Sequence, residues 1–321
     1  MPVGIAGFGR YVPEKRLTNQ DLEKLVDTSD EWIVQRTGIR ERRIAAPDQV
    51  TSTLALNAAR AALEDAKMSP EELDLVICAT VTGDQSFPAT ACRIGFDLGA
   101  KNAGGFDLGA ACSGFVFGSQ VAAGFISSGQ FKNVLVVGAE ILSRILDYSD
   151  RNTCVLFGDG AGAVVLSRDE EPGILSTHLH ADGRYESLLY VDGGTPIGQG
   201  RIAEGNAYTR MQGNEVFKVA VRTLRGLVEE TLAANAMSES DIDWLIPHQA
   251  NFRIIEATAR KLNLPWERVV VTVAEHGNTS AASVPLALDT AVRDGRIQRG
   301  QNLLLEAFGG GFTWGSAMVR F

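Results

Sequence analysis

A cysteine placed where a buried strand turns into a helix is the first residue of this sequence with the means to act as a nucleophile. Cys112 lies in Phe106-Asp-Leu-Gly-Ala-Ala-Cys-Ser-Gly-Phe115, where an apolar strand passes through small residues into a helix. At a helix N-terminus the macrodipole and free N–H groups favour a thiolate. Cys78, mid-strand, and Cys92, on a helix, read instead as small apolar residues. His248 directly follows the strand-like Trp244-Leu-Ile-Pro247, and an imidazole at the C-terminal end of an α/β strand is well placed for an active site. Asn278, in Glu275-His-Gly-Asn-Thr-Ser-Ala-Ala-Ser283, opens a helix of small residues. Its amide either caps that helix or donates to a substrate carbonyl, and spacing does not decide between them. The run Phe308-Gly-Gly-Gly-Phe312 either exposes N–H groups for an oxyanion hole or is simply a turn before the last strand.

Other candidates carry less. His178 and His180 alternate on one strand face with no third metal ligand near in sequence, so they read as structural. His276, beside Asn278, is a possible confounder of His248. Gly4-Ile-Ala-Gly-Phe-Gly9 and Gly158-Asp-Gly-Ala-Gly162 imitate dinucleotide loops without the G-x-G-x-x-G order. The sequence contains no G-x-x-x-x-G-K-[ST], H-E-x-x-H or G-x-S-x-G, which removes the commonest nucleotide, zinc and serine-hydrolase readings.

The elements that must position these residues alternate along the chain. Short apolar strands rich in Val, Ile and Leu are expected at 75–82, 105–108, 134–138, 244–246, 269–273 and 303–307. Helices with apolar residues three and four apart are expected at 52–67, 114–127, 215–235 and 252–262. This is an α/β pattern without a Pro/Gly/Ser-rich linker. At 321 residues and 45% hydrophobic, the chain has room for two packed units or one large α/β body with an extensive core. Its net charge of −9 disfavours nucleic acid or an anionic membrane as the main partner. No apolar run is long enough to span a bilayer, and the first residues lack the layout of a secretory signal. Four cysteines without a CxxC pair suggest reduced thiols in the cytoplasm.

The two halves echo each other. Met68-Ser-Pro-Glu-Glu-Leu-Asp-Leu-Val-Ile77 and Met237-Ser-Glu-Ser-Asp-Ile-Asp-Trp-Leu-Ile246 each follow an amphipathic helix, offer a Ser N-cap before acidic residues, and enter an apolar strand. Small-residue helices then start near Cys112 and Ser280. The spacing suggests a duplicated α/β unit, divided as 1–173 with the cysteine and 174–321 with the histidine and asparagine.

Taken together these segments resemble the β-ketoacyl-acyl carrier protein synthase III family. The likeness spans essentially the whole chain. It rests on Ser29-Asp-Glu-Trp-Ile-Val-Gln-Arg-Thr-Gly-Ile-Arg40, Ala110-Ala-Cys-Ser-Gly114, Arg151 with Phe157-Gly-Asp-Gly-Ala-Gly162, and Gly213-Asn-Glu-Val-Phe-Lys218. His248-Gln-Ala-Asn251, Gly277-Asn-Thr-Ser-Ala-Ala282 and Phe308-Gly-Gly-Gly-Phe-Thr-Trp-Gly-Ser316 complete it. The Cys–His–Asn set separates this family from elongating synthases (Cys–His–His) and from thiolases, which use a second cysteine.

The resemblance implies the thiolase fold, two pseudo-duplicated halves in five α-β-α-β-α layers, usually as a homodimer. It implies decarboxylative condensation of a short acyl-CoA with malonyl-acyl carrier protein, initiating type II fatty acid synthesis, with no metal or redox cofactor. Cys112 would be acylated, its N–H and that of Gly310 would hold the oxyanion, and His248 and Asn278 would stabilise the enolate. Trp32, Arg36 and Arg151 stand at coenzyme A positions; Asn214, Phe217 and Asn251 at the pantetheine tunnel; Phe87, Phe157 and Leu189 at the acyl pocket, Phe87 reaching across the dimer. Arg253, Arg260 and Lys261, at i, i+7 and i+8, share one helical face where the family receives its carrier protein. A related condensing enzyme that takes bulkier donors to polyketide, quinolone or long-chain ketone products would carry the same motifs, and the pocket segment 188–211 would distinguish it. A non-catalytic scaffold of the same fold is disfavoured by the intact Cys112, His248 and Asn278.

Overall fold

The computed structural model describes residues 1–171, 173–192 and 207–321. In chain order the strands are β1 (Val3–Tyr11), β2 (Lys15–Thr18), β3 (Glu41–Ile44), β4 (Leu75–Ala79), β5 (Gly104–Leu108), β6 (Asn133–Glu140), β7 (Gly160–Arg168), β8 (Ile174–Ala181), β9 (Leu189–Tyr190), β10 (Arg210–Met211), β11 (Trp244–Pro247), β12 (Asn302–Gly309) and β13 (Thr313–Arg320). The longer helices are α1 (Asp30–Thr37), α2 (Thr51–Ala66), α3 (Thr90–Leu98), α4 (Gly114–Ser127), α5 (Gly213–Ala234), α6 (Phe252–Lys261) and α7 (Ser283–Arg293).

β4 and β6 are buried along their whole length, which is why both read as continuous apolar runs rather than as alternating ones. They sit inside a five-stranded sheet ordered β1-β7-β6-β4-β5. A second sheet is ordered β11-β12-β13-β8. The pairing senses match between the two. β1/β7 and β7/β6 are antiparallel, as are β8/β13 and β13/β12. β6/β4 and β12/β11 are parallel. A parallel bridge from Leu245 to Val269 stands where β5 stands beside β4 in the first sheet. The duplication expected from sequence is therefore present in the strand order itself.

Five layers follow from where the apolar faces go. α4 and α7 lie between the sheets: Phe115, Val116, Val284 and Leu288 share one core with Ile77 and Val136 from one sheet and Leu303 and Leu305 from the other. α2 and α3 cover the outer face of the first sheet through Leu54, Ala58, Ala62 and Ile94. α5 and α6 cover the second through Val228, Leu232, Ile255 and Ala259. Among the described residues no helix is long and apolar enough to cross a membrane.

Two expectations are corrected. Residues 269–273 form no strand. The Val270 N–H reaches the Leu245 carbonyl, but the next donors, Thr272 and Val273, are taken by the Gln249 side-chain oxygen, so the chain turns into a helical turn at Val273–His276. Cys92 is exposed on α3 rather than buried, while Cys78, Cys112 and Cys154 are buried.

The middle layer is packed backbone to backbone. A side chain at Gly138 on β6 would collide with the Ala281 carbonyl, at the start of the turn leading into α7. Gly138→Ala is therefore expected to lose about 1–3 kcal/mol or more. Gly226→Ala, on an exposed position of α5 with open space around it, should instead gain about 0.5–1 kcal/mol. Urea unfolding of the two variants checks this; equal stabilities would contradict the packing described.

Candidate active site

Two matching turns build the centre of the site. Ala111–Ser113 and Ser280–Ala282 are short 3-10 turns that lead into α4 and α7. Each begins with a left-handed residue, Ala111 at φ 45° and Ser280 at φ 48°. That conformation is costly for residues with a Cβ and persists only where the surroundings enforce it. The second residue of the turn is Cys112 in one half and Ala281 in the other, so the duplication supplies one thiol rather than two. Thr313 Oγ1 donates to the Ala110 carbonyl at 2.8 Å and Ser113 Oγ to the Thr313 carbonyl at 2.9 Å, tying the Cys112 elbow to β13.

Cys112, His248 and Asn278 line one cavity of about 350 Å³. His248 leaves β11, its backbone N–H bound to the Glu306 carbonyl at 2.7 Å. Its Nδ1 lies 2.6 Å from Ser283 Oγ, which also accepts the Gln249 N–H at 3.3 Å. A Ser283 hydroxyl that donates to Nδ1 leaves the neutral ring's proton on Nε2. Asn278 makes a turn-capping contact and also faces the cavity. Its Oδ1 accepts the Ser280 N–H at 2.8 Å, capping the turn, and the side chain lines the cavity with its NH₂ still available.

Burial dominates the electrostatics. It pushes the Cys112 thiol up to about 12; Ser280 acts in the opposite direction and Glu140 adds to the rise. The thiolate expected from the helix N-terminus is thus opposed by desolvation, and the resting group is a thiol. Burial likewise pushes His248 down to about 3 and Glu306 up to about 8. His276, buried, is pushed down to about 4, but it is not among the residues lining the cavity. His178 and His180 sit at Glu230, with His180 Nε2 at 2.7 Å from its carboxylate, so a third polar group is near them, although no group that could hold a metal is found among the described residues.

Of the other sequence-derived candidates, Trp32, Arg36, Asn214, Phe217, Asn251, Phe157 and Leu189 all line the cavity. The Arg36 and Arg151 guanidinium groups lie 4.9 Å and 5.0 Å from the centre of the Trp32 ring. Arg151 is outside the lining and also donates to the Asp27 carbonyl. Gly310 is outside it too: its α-carbon faces Leu189, whereas Gly309 lines the cavity and has no room for a Cβ, which would meet the Cys112 nitrogen at 2.6 Å. Phe87 does not line this chain's cavity and is 84% exposed. Arg253 lines the mouth and lies over Phe217; Arg260 and Lys261 are exposed further along α6, and Arg260 pairs with Glu256. Of the pocket segment 188–211, residues 193–206 lie outside the described residues.

Two acids were missed from sequence. Glu306 is fully buried in the cavity wall, with neither carboxylate oxygen bonded to protein. Glu140 lies behind the Cys112 elbow. Each has a signal, a lone acid in an otherwise apolar strand, at its end for Glu140 (Val-Val-Gly-Ala-Glu140) and within it for Glu306 (Leu-Leu-Leu-Glu306-Ala-Phe).

A thiolase-type body in which one cavity joins a cysteine from one half to a histidine and an asparagine from the other defines a carbon–carbon condensing enzyme. The family profiles for 3-oxoacyl-[acyl-carrier-protein] synthase III match residues 106–183 and, for its C-terminal part, 232–321. The chain is 62% identical over 318 residues to the β-ketoacyl-[acyl-carrier-protein] synthase III of Alkalilimnicola ehrlichii, covering 99% of this chain and 98% of that one. It superposes on the crystal structure of 3-oxoacyl-[acyl-carrier-protein] synthase III from Aquifex aeolicus with TM-score 0.94 at 49% identity, over 99% and 100% of the two chains. The priming β-ketosynthase of the R1128 polyketide pathway gives TM-score 0.95 at 37% identity, over 99% and 96%. This chain belongs to the β-ketoacyl-acyl carrier protein synthase III family.

The buried imidazole should stay neutral throughout the working range. A base whose pKa falls on folding adds stability above its unfolded value, about 6.5, and that contribution is lost as pH drops towards about 3. The His248 ring resonances are accordingly expected not to move between pH 5.5 and 8.5 in a proton–carbon NMR titration. A midpoint near 6.5 in the folded enzyme would contradict this.

Proposed function

We propose that this enzyme condenses a short acyl-CoA with malonyl-acyl carrier protein by a ping-pong reaction through Cys112. The observation that carries this reading is the convergence of Cys112, His248 and Asn278 on one cavity whose lining includes Trp32, with the Arg36 and Arg151 guanidinium groups near its ring. An aromatic face suits adenine, and guanidinium groups suit phosphates. Cys112 loses its proton and attacks the acyl-CoA thioester carbonyl. The C–S bond to coenzyme A breaks, and coenzyme A leaves with the proton. The N–H of Cys112 and that of Gly310, which belongs to the peptide bond following the lining residue Gly309, hold the oxyanion. Asn214, Phe217 and Asn251 guide the pantetheine arm, and Phe157 and Leu189 contact the acyl group.

Malonyl-acyl carrier protein then enters the same tunnel. The bond to its carboxylate breaks, CO₂ leaves, and the electron pair forms an enolate whose oxygen accepts from His248 Nε2–H and the Asn278 amide. The carbanion attacks acyl-Cys112, forming the carbon–carbon bond and expelling the Cys112 thiolate. A neutral donor pair suits this step, since the charge to be stabilised appears only as CO₂ leaves. Glu306, held protonated at neutral pH by burial, adds no negative charge against the anionic substrate. The residues supply every step without a metal or redox cofactor.

Two surfaces fit the partners. Arg253, Arg260 and Lys261 on α6 form a basic face by the cavity mouth in a chain of net charge −9, which would steer an acidic carrier protein. The outer edge of β5 has no strand partner among the described residues, and Phe87 (84%) and Phe96 (82%) are exposed. A second copy pairing there would cover both and let Phe87 close the partner's acyl pocket, giving a homodimer. The reduced thiols suit the cytoplasm. A related condensing enzyme with a bulkier donor is the second reading, and a polyketide role for such an enzyme is supported by the superposition on the priming β-ketosynthase of the R1128 polyketide pathway.

His248→Ala and Asn278→Ala are expected to leave acylation of Cys112 by acyl-CoA nearly intact and to slow condensation by about 10²–10³-fold. His276→Ala should have a far milder effect. Measuring the two half-reactions separately tests this; condensation near the wild-type rate in either site variant would remove that residue from the mechanism.

A further inference from the structure

Glu140 ends β6 fully buried. Its carboxylate accepts from Thr80 Oγ1 (3.2 Å), the Val81 N–H (3.2 Å), the Thr82 N–H (3.1 Å) and Thr82 Oγ1 (2.5 Å), all on the segment following β4. A further donor crosses from the other half of the molecule: Ser280 Oγ, 3.1 Å from Glu140 Oε1. Ser280 is the left-handed residue that opens the turn before α7, and its N–H holds the Asn278 side chain. The Ser280–Ala282 turn packs against the Cys112 elbow, where a Cβ at Gly114 would lie 3.4 Å from that of Ala281, and of the neighbours that act on the Cys112 thiol Ser280 favours the thiolate while Glu140 disfavours it. A serine hydroxyl has one proton to give. It cannot serve the carboxylate and the sulfur together.

We propose that Glu140 and Ser280 act as one positioning unit for Cys112, in which the carboxylate holds the Ser280 hydroxyl proton and release of that hydrogen bond turns the proton towards the Cys112 thiolate. Glu140 touches no reacting atom; it acts through Ser280, whose hydroxyl reaches the sulfur only when released, and the pair sets how readily the nucleophile forms. Burial raises the Glu140 acid to about 7 against the pull of its five donors, so protonation near neutral pH can release the bond. Among the described residues Glu140 forms no salt bridge, and the titratable groups that feel it are the thiols of Cys112 on the elbow and Cys78 on β4. Asp84 and Asp107 also act on Cys78. The unit joins three parts that have to agree: the elbow, the Asn278 turn, and the 80–84 segment that leads to Phe87.

The proposal rests on Cys112 being the nucleophile, but its test needs no acyl substrate. Iodoacetamide alkylation of Cys112, followed by peptide mass across pH 5.5–9, reads the thiolate directly. Glu140→Gln removes the charge and offers an NH₂ to Ser280, which then accepts and frees its own proton for sulfur. Alkylation at pH 8 should rise several-fold, and the inflection contributed by Glu140 should vanish from the profile. Ser280→Ala, a small change at a buried site, should slow alkylation several-fold near pH 6, where Glu140 is protonated and the hydroxyl is free to turn to sulfur, and change it little at pH 8, where the carboxylate holds that proton. In that background Glu140→Gln should have a much smaller effect than in the wild type, because the pair is coupled through one proton. An unchanged rate near pH 6 in folded Ser280→Ala, or additive effects in the double variant, would overturn the proposal. If alkylation behaves as expected while no acyl-CoA labels Cys112, the unit stands and the functional reading fails.

Discussion

The contact on which the site depends is the back-to-back meeting of two small-residue turns between the sheets. Ala111–Ser113 and Ser280–Ala282 approach so closely that the Gly114 position has room only for van der Waals contact with Ala281, and Gly138 has no room for a side chain against the Ala281 carbonyl. The small residues around Cys112 and Asn278 are therefore a packing requirement before they are a chemical one. They let α4 and α7 cross the middle layer with their first turns touching. Once that contact exists, a residue from each half necessarily faces the same space.

The second constraint is dryness. Within this cavity burial drives titratable groups towards their uncharged forms: Cys112 up to about 12, His248 down to about 3, Glu306 up to about 8. An uncharged lining offers donors whose value increases when negative charge develops between them, because little water competes. The same dryness opposes thiolate formation. A hydroxyl adjacent to the sulfur consequently has leverage that it would lack in water.

The sequence showed the alternation of strands and helices, the duplication, and candidate residues near strand ends that line one cavity, because these depend on local periodicity and on residue types that only a few roles tolerate. Asn251 at the head of α6 is one example: its side chain caps Ile254 N–H at 3.0 Å as the Asn type suggests. Residues 269–273 were misread because their donors are satisfied by the Gln249 side chain, a long-range contact with no local trace. Cys92 looked buried because α3 is apolar, yet it lies on the open face. Glu140 and Glu306 stayed hidden because the burial of an acid is set by what packs over it, not by its neighbours in the chain. The fall of the expected low thiol pKa has the same origin, since a helix start is visible in sequence and its desolvation is not.

The central claim is that Cys112 carries the acyl group between two half-reactions. Intact-protein mass spectrometry after mixing wild-type enzyme with acetyl-CoA and longer acyl-CoAs, with peptide mapping, tests it most directly. The account predicts one acyl group per chain, located on Cys112 and discharged when malonyl-acyl carrier protein is added. An enzyme that turns over without an adduct, or with the adduct on another residue, would contradict it.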